Sequence, residues 1–217
     1  METYDALLTR RSIRKYLKDP VPPDLINKIM MAPIWAPSGS NTQPWRFYVA
    51  SGKKRDELIQ AMIHASGPEA PSMDAYDQLV ERVDQIRAAM TENNTAEVGI
   101  RRTSEEGAKF IRYGSIRFYQ APVVIIVATP KQMGGSSHQS IGAAVQNILL
   151  AAHAEGLATC WLGMPMAFKD KIIQVLNIPD DVELVTTISL GYPDKNSAIN
   201  KLIMPRLPFE EIVTYRS

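Results

Sequence analysis

The chain has 217 residues, 45% of them apolar and 22% charged, which suits one substantial domain with its own core and argues against disorder. Lys and Arg number 24 against 23 Asp and Glu, a formal charge of +1, so no global basic field is present to hold nucleic acid or an anionic membrane. One cysteine, Cys160, and three histidines exclude a disulfide framework and a multi-thiolate zinc site, and no leader or run of about 18 apolar residues is visible; the expectation is a reduced, cytoplasmic, single-domain protein without metal or membrane span.

Tyr4 to Thr9 reads as a short helix, and Ser12 to Leu17 alternates polar and apolar residues as an extended segment does. Pro22-Pro23-Asp24 opens a helix carrying Leu25, Ile26, Ile29, Met30 and Ile34, since proline in the first turn lacks only a donor the helix leaves unpaired. Pro37 to Asn41 ends it. Trp45 to Ala50 follows as a strand and Lys53 to Ala65 as a helix. Met73, Tyr76, Val80, Val83, Arg87 and Met90 recur every three or four residues, which predicts an amphipathic helix over 73–92. Its other face, Asp74, Asp77, Glu81 and Asp84, reads as solvated. The polar stretch 93–106 reads as a loop.

Pro122 to Ala128 is a continuous apolar run, a strand buried on both faces. The most apolar helix spans 138–155 and stops at Gly156. It is apolar nearly all round, so it belongs against the core or another subunit. Leu157 to Leu162 and Val182 to Leu190 read as strands, with a helix from Pro165 to Leu176 between them. The tail after Pro193, broken by Asn196, Asn200, Pro205 and Pro208, reads as extended. Helices and strands do not alternate as βαβ units, which favours an α+β class.

Three clusters carry possible chemistry. In an extended segment Arg10, Ser12 and Arg14 share a face, so two guanidinium forks flank a hydroxyl; this is either a phosphate clamp or a solvated basic patch. The run Pro37-Ser38-Gly39-Ser40-Asn41-Thr42-Gln43 joins a tight turn to two hydroxyls and two amides. Amides donate and accept at once, as a uracil-like ring edge requires, although such composition also makes turns that hold no ligand. Thr159 to Pro165 ends a strand on Gly163 before a proline-started turn. There backbone N–H groups could approach a flat ligand, or the segment is simply a strand-to-helix turn beside Trp161. Cys160, among apolar neighbours, reads as a small core residue and not a thiolate nucleophile. No GxGxxG, Walker sequence or nucleophile elbow is present.

Taken in order, these segments resemble the nitroreductase family of FMN-dependent oxidoreductases. RRSIRKY (10–16), APSGSNTQPWRF (36–47), GLATCWLG (156–163), LGYPD (190–194) and PRLPFEEIV (205–213) carry the resemblance, which is weak between about residues 60 and 115. It implies a nitroreductase-like α+β fold, a mostly antiparallel central sheet flanked by helices, in an intertwined homodimer with FMN at the subunit interface. Residues 60–115 would form a variable cover over the active site, and residues 194–217 an arm wrapping the partner. Arg10, Arg11, Ser12 and Arg14 match positions that hold the phosphate, ribityl chain and one flavin edge, and Arg206 matches the distal cation on the phosphate. Pro37, Ser38, Ser40, Asn41 and Gln43 match a loop that reaches the flavin across the interface. Leu162 and Gly163 match the strand end whose backbone N–H groups face the redox-active ring nitrogen. Some members carry Lys two residues before the distal arginine; here that position is Met204, so Arg14 is left as the cation for the anionic end of the ring.

The resemblance implies a ping-pong cycle in which NADH or NADPH reduces the flavin and a nitroaromatic, quinone or similar small aromatic acceptor reoxidises it. No catalytic side chain is required, because the flavin carries the chemistry. The alternatives on the same scaffold are reductive dehalogenation, enone reduction, or FMN binding and storage without turnover.

Overall fold

A computed structural model describes residues 1–92, 104–133, 135, 137–201, 203–204 and 206–216. Among these, eight helices surround four strands: α1 (Thr3–Thr9), α2 (Pro23–Met31), β1 (Arg46–Ser51), α3 (Gly52–Ala65), α4 (Met73–Glu92), α5 (Glu105–Ile116), β2 (Val123–Pro130), α6 (Ser137–Ala154), β3 (Ala158–Leu162), α7 (Lys169–Leu176), β4 (Val182–Gly191) and α8 (Phe209–Ile212). The strands form one antiparallel sheet in the order β1-β2-β4-β3, which gives the α+β class expected from the sequence. None of the described helices is long and apolar enough to cross a membrane.

The continuous apolar run of β2 follows from its place inside the sheet. Successive side chains of a strand point to opposite faces. Val124, Ile126 and Ala128 therefore join Leu58 and Met62 of α3, Tyr76 and Val83 of α4 and Phe110 of α5. Val123, Ile125 and Val127 face the other way, onto Ile29 of α2 and Ile141, Val145, Ile148 and Ala152 of α6. Both layers are dry, so alternation with polar residues would leave unpaired groups in one of them. Gly156, at φ +77°, supplies the left-handed residue that lets α6 turn into β3.

Several expectations need correction. The helix begun at Pro23 ends at Met31, and Ala32–Trp35 tightens into a 3-10 turn that leaves Ile34 exposed and Trp35 81% exposed. Pro165 to Leu176 is not one helix: Met164–Phe168 is a 3-10 turn before α7. The tail is not wholly extended, since Ala198–Lys201 makes a turn and Phe209–Ile212 one helical turn. Met73 is exposed, and Leu79 takes its place in the buried stripe of α4. Of the expected loop at 93–106, residues 93–103 lie outside the described residues; Ser104 caps α5 by accepting from Gly107 N–H, and Glu105 and Glu106 are helical. The acidic face of α4 is not simply solvated, because Asp77, Glu81 and Asp84 each bind another element.

Between α5 and β2 the chain makes a sharp left-handed turn in which Phe118, Tyr119 and Gln120 all have φ between +50° and +59°. Tyr119 and Phe118 are buried nevertheless, and the Tyr119 ring lies against the backbone of Gly114. A Cβ at Gly114 would run into that ring and come within 2.8 Å of the Tyr76 hydroxyl. Gly114→Ala is expected to lower stability by about 1–3 kcal/mol, the usual cost of overpacking, read as a drop in thermal midpoint. An unchanged midpoint would contradict this packing.

Candidate functional site

The segment after α1 meets the edge of β3 at Ser12 and Ile13 and then passes to the stretch that follows β4. Ser12 bridges Thr159 in parallel register, and Ile13 N–H donates to Thr159 C=O at 3.0 Å. Further on, Leu17 N–H donates to Tyr192 C=O at 2.9 Å. The side chains obey the two-residue repeat: Arg10, Ser12 and Arg14 all bear on Cys160, the two arginines through charge and Ser12 through a hydrogen bond. Burial holds the Cys160 thiol above its ordinary range despite those cations, so it stays protonated, as its apolar setting suggested.

Burial, with the nearby charges of Arg11 and Arg206, lowers the Arg10 guanidinium, while Cys160 works the other way. Arg206 of the C-terminal arm is thus brought close to Arg10 from the far end of the chain. Arg11 lies beside them and also closes the end of α1, donating to the carbonyls of Leu8 at 2.6 Å and Arg10 at 2.8 Å. Arg14 donates to Ser12 C=O at 3.3 Å and its guanidinium lies 6.0 Å from the Tyr119 ring centroid, yet its buried Nε has no hydrogen-bond partner. Among the described residues Arg10, Arg11 and Arg14 make no ion pair with a carboxylate. Like charges gathered without carboxylates favour an anion.

Lys15, between them, is treated in the opposite way. Its ammonium lies 3.0 Å from Glu81, 3.6 Å from Asp84 and 4.0 Å from Asp194. Burial works against its charge, but the bond to Glu81 and the carboxylates of Asp84 and Asp194 outweigh it and hold the amine above its usual range. Asp84 also accepts from Ser197 Oγ at 2.6 Å and Ile199 N–H at 2.9 Å. Asn200 completes this junction. Its Oδ1 accepts from the N–H groups of Arg14 at 2.9 Å and Lys15 at 3.2 Å, while its Nδ2 donates to the carbonyls of Lys15 at 2.7 Å and Asp194 at 2.9 Å. Sequence reasoning missed Lys15, Asp84, Asp194 and Asn200; the last stood out only as a chain breaker.

The strand end lies on the same edge. Leu162 is buried, and its carbonyl accepts from the hydroxyls of Thr186 at 3.1 Å and Thr187 at 2.9 Å, which fixes the peptide leading to Gly163. Gly163 is exposed and nothing stands within 4 Å of where its Cβ would be. Behind Arg10 a cavity of about 290 Å³ is lined by Thr9, Arg10, Arg11, His153 and Lys195. Thr9 gives its one hydroxyl proton to Asp5 C=O at 2.5 Å, so His153 Nε2, 2.8 Å away, is the donor to Thr9.

The loop of the second cluster stands elsewhere. Ser40, Asn41 and Gln43 have φ of +50°, +55° and +46°, a concentration of backbone strain that persists only where the surroundings hold it. Gln43 N–H donates to Ser38 Oγ at 3.0 Å and Gln43 Nε2 to Asn41 Oδ1 at 3.2 Å, while Pro37, Ser40, Asn41 and Gln43 stay exposed. This loop feeds β1. Leu162, Thr187, Ile126 and Tyr48 follow one another across the sheet, with β1 on one edge and β3 on the other. β1 and β3 stand three strand spacings apart, roughly 14 Å, and the arginine segment meets the sheet at β3 through Ser12. Arg10, Arg11, Ser12, Arg14 and Arg206 are thus linked around the start of β3, with Leu162 and Gly163 at the end of that strand, while Pro37, Ser38, Ser40, Asn41 and Gln43 lead into the strand on the opposite edge. Among the described residues no group of His, Cys, Asp and Glu could hold a metal ion.

Comparison with known proteins bears on this arrangement. The nitroreductase family model matches residues 7–192. Chloronitrobenzene nitroreductase of Comamonas testosteroni is 31% identical over 217 residues, covering 97% of this chain and 95% of that protein. Nitroreductase NfnB of Mycolicibacterium smegmatis is 30% identical over 95% of this chain and 89% of its own length. The crystal structure of the FMN-dependent nitroreductase NfnB from Mycobacterium smegmatis in complex with NADPH matches with a TM-score of 0.78 at 26% identity, covering 99% and 97% of the two chains. The chain belongs to the nitroreductase family.

Proposed function

We propose that two copies of this chain form two FMN sites at their shared interface, and that the protein uses NADPH or NADH to reduce nitroaromatics or similarly flat acceptors. The observation that carries this reading is the pair Arg10 and Arg14 beside Cys160 of β3, with Arg206 from the far end of the chain near enough to act on the charge of Arg10. Guanidinium forks match phosphate oxygens, and the buried, unpartnered Nε of Arg14 suits a polar group of the ligand. These residues fit FMN. Arg10, Ser12 and Arg206 hold the phosphate, Arg11 adds charge while closing α1, and Arg14 meets the anionic edge of the ring. Met204 offers no charge there, so Arg14 serves alone. Leu162 and Gly163 present backbone N–H groups to the ring, and the missing Cβ at Gly163 allows close approach. When bound, FMN supplies the hydride-accepting and hydride-donating chemistry that no side chain in the set could.

Pro37, Ser38, Ser40, Asn41 and Gln43 reach this site from the partner copy, because their own chain holds them across the sheet. Apolar exposure supports the pairing: Tyr4 of α1 is 75% exposed, Trp35 81% and Tyr215 of the arm 83%, with Leu8, Met31, Phe209 and Ile212 also open. Surfaces of that character mark partner contacts. Residues 194–217 wrap the partner, and 60–115, with α4, cover the acceptor side. The acceptor class rests on the relatives, which are named for chloronitrobenzene and other nitro substrates.

Purified protein is expected to hold one FMN per chain, to bleach with NADPH or NADH in the absence of oxygen, and to recolour with nitrobenzene. Protein that takes up no FMN would overturn the proposal. Arg10→Ala and Arg206→Ala are each expected to weaken FMN by about tenfold or more while leaving riboflavin, which lacks the phosphate, nearly unaffected. Equal losses for both ligands would place these arginines away from the phosphate.

His153 reports on the same cations. Burial, then the charges of Arg10 and Arg11, pushes its imidazole below the usual range. The folded chain thus keeps His153 neutral where the unfolded chain protonates it. Its contribution to stability is present above about pH 6.5 and is lost as pH falls toward the lower folded value. The thermal midpoint of flavin-free protein is expected to drop between pH 7 and 5, and His153→Gln to flatten that slope. Parallel slopes would contradict the assignment.

A further inference from the structure

Asn200 grips the backbone of the arginine segment from the C-terminal part of the chain. All four of its amide hydrogen-bonding positions are filled: two N–H groups meet Oδ1 and two carbonyls meet Nδ2. The orientation of the amide is forced, because the reverse would set NH2 against two N–H donors. Aspartate, the isosteric acid, keeps the acceptor side but turns an anionic oxygen toward the carbonyls of Lys15 and Asp194.

The grip has consequences at both ends of the cation set. Arg14 and Lys15 are held by their peptide groups, so the direction in which Arg14 projects toward Cys160 and Tyr119 is set at Asn200. The turn Ala198–Lys201 that carries Asn200 also launches the arm on which Arg206 returns to Arg10. Asp84 ties the same turn and Lys15 to α4.

Resting on the FMN reading above, we propose that Asn200 is a positioning residue for the flavin site: it acts through Arg14, fixing the guanidinium that meets the ring. It touches no ligand itself. Its function is to make Arg14 a preorganised charge, and misplacement of such a group by even a small distance costs binding and rate steeply.

The test is a double-mutant cycle on the full-length protein, read as the FMN dissociation constant by flavin fluorescence and as the midpoint potential of the bound flavin. The chains are wild type, Asn200→Asp, Asn200→Ala, Arg14→Ala and each Asn200 variant combined with Arg14→Ala. Asn196→Ala, an exposed change on the neighbouring stretch, serves as control and is expected to behave as wild type. Each Asn200 variant alone is expected to weaken FMN by about tenfold and to lower the bound potential, with little further loss once Arg14 is gone. Additive losses, an unshifted potential, or loss of the folded protein in both Asn200 variants would overturn the role, since Asn200 would then serve only the fold. Absence of FMN from wild type, or an Arg14→Ala variant that binds FMN normally, would instead remove the underlying assignment.

Discussion

The order of four strands is the constraint from which the rest follows. With β1 and β3 on opposite edges, whatever stands beside β3 is separated by the width of the sheet from whatever feeds β1. The arginine segment takes the first position and the Ser38–Gln43 loop the second. On the proposed reading, a ligand that touches both clusters draws them from two chains. The exposed apolar side chains of α1, the turn after α2 and the C-terminal arm would supply surface for the proposed pairing.

Charge is distributed in keeping with this division. Lys15, inside the segment, is surrounded by Glu81, Asp84 and Asp194 and serves to hold elements together. Arg10 and Arg14 meet a thiol, a hydroxyl and an aromatic ring, and among the described residues no carboxylate pairs with them. Burial and the charges of Arg11 and Arg206 weigh on Arg10, which an anion would relieve, whereas around Arg14 burial is outweighed by Cys160 and Tyr119, which favour its charge. The downward push on half-buried His153, from its partial burial and then from Arg10 and Arg11, belongs to the same electrostatic field.

Much of this was legible in the residues and some could not be. β2 announces itself because burial on both faces leaves no room for polar residues, α6 by its buried apolar stripe of Ile141, Val145, Ile148 and Leu149, and the Arg10, Ser12, Arg14 face follows from the strand period alone. Ile34 read as part of the helix begun at Pro23, yet the turn at Ala32–Trp35 swings it and Trp35 outward. The acidic stripe of α4 looked like a solvated face because nothing local marks the partner of Asp84. Asn200 was visible only as a breaker: its contact with Arg14 spans 186 residues, and an asparagine in a loop looks the same whether or not a strand lies against it. Left-handed backbone at Ser40, Asn41 and Gln43 was likewise hidden, since none of these positions is glycine.

The most direct measurement is complementation between two defective chains. One carries Arg10→Ala and Arg206→Ala, the other Ser40→Ala and Asn41→Ala, each alone holding little FMN. Co-refolded and purified as the mixed pair by distinct tags, they should regain one flavin per two chains, because one interface then joins an intact arginine edge to an intact loop. A mixed pair that holds no more flavin than its parents would contradict a site shared between copies.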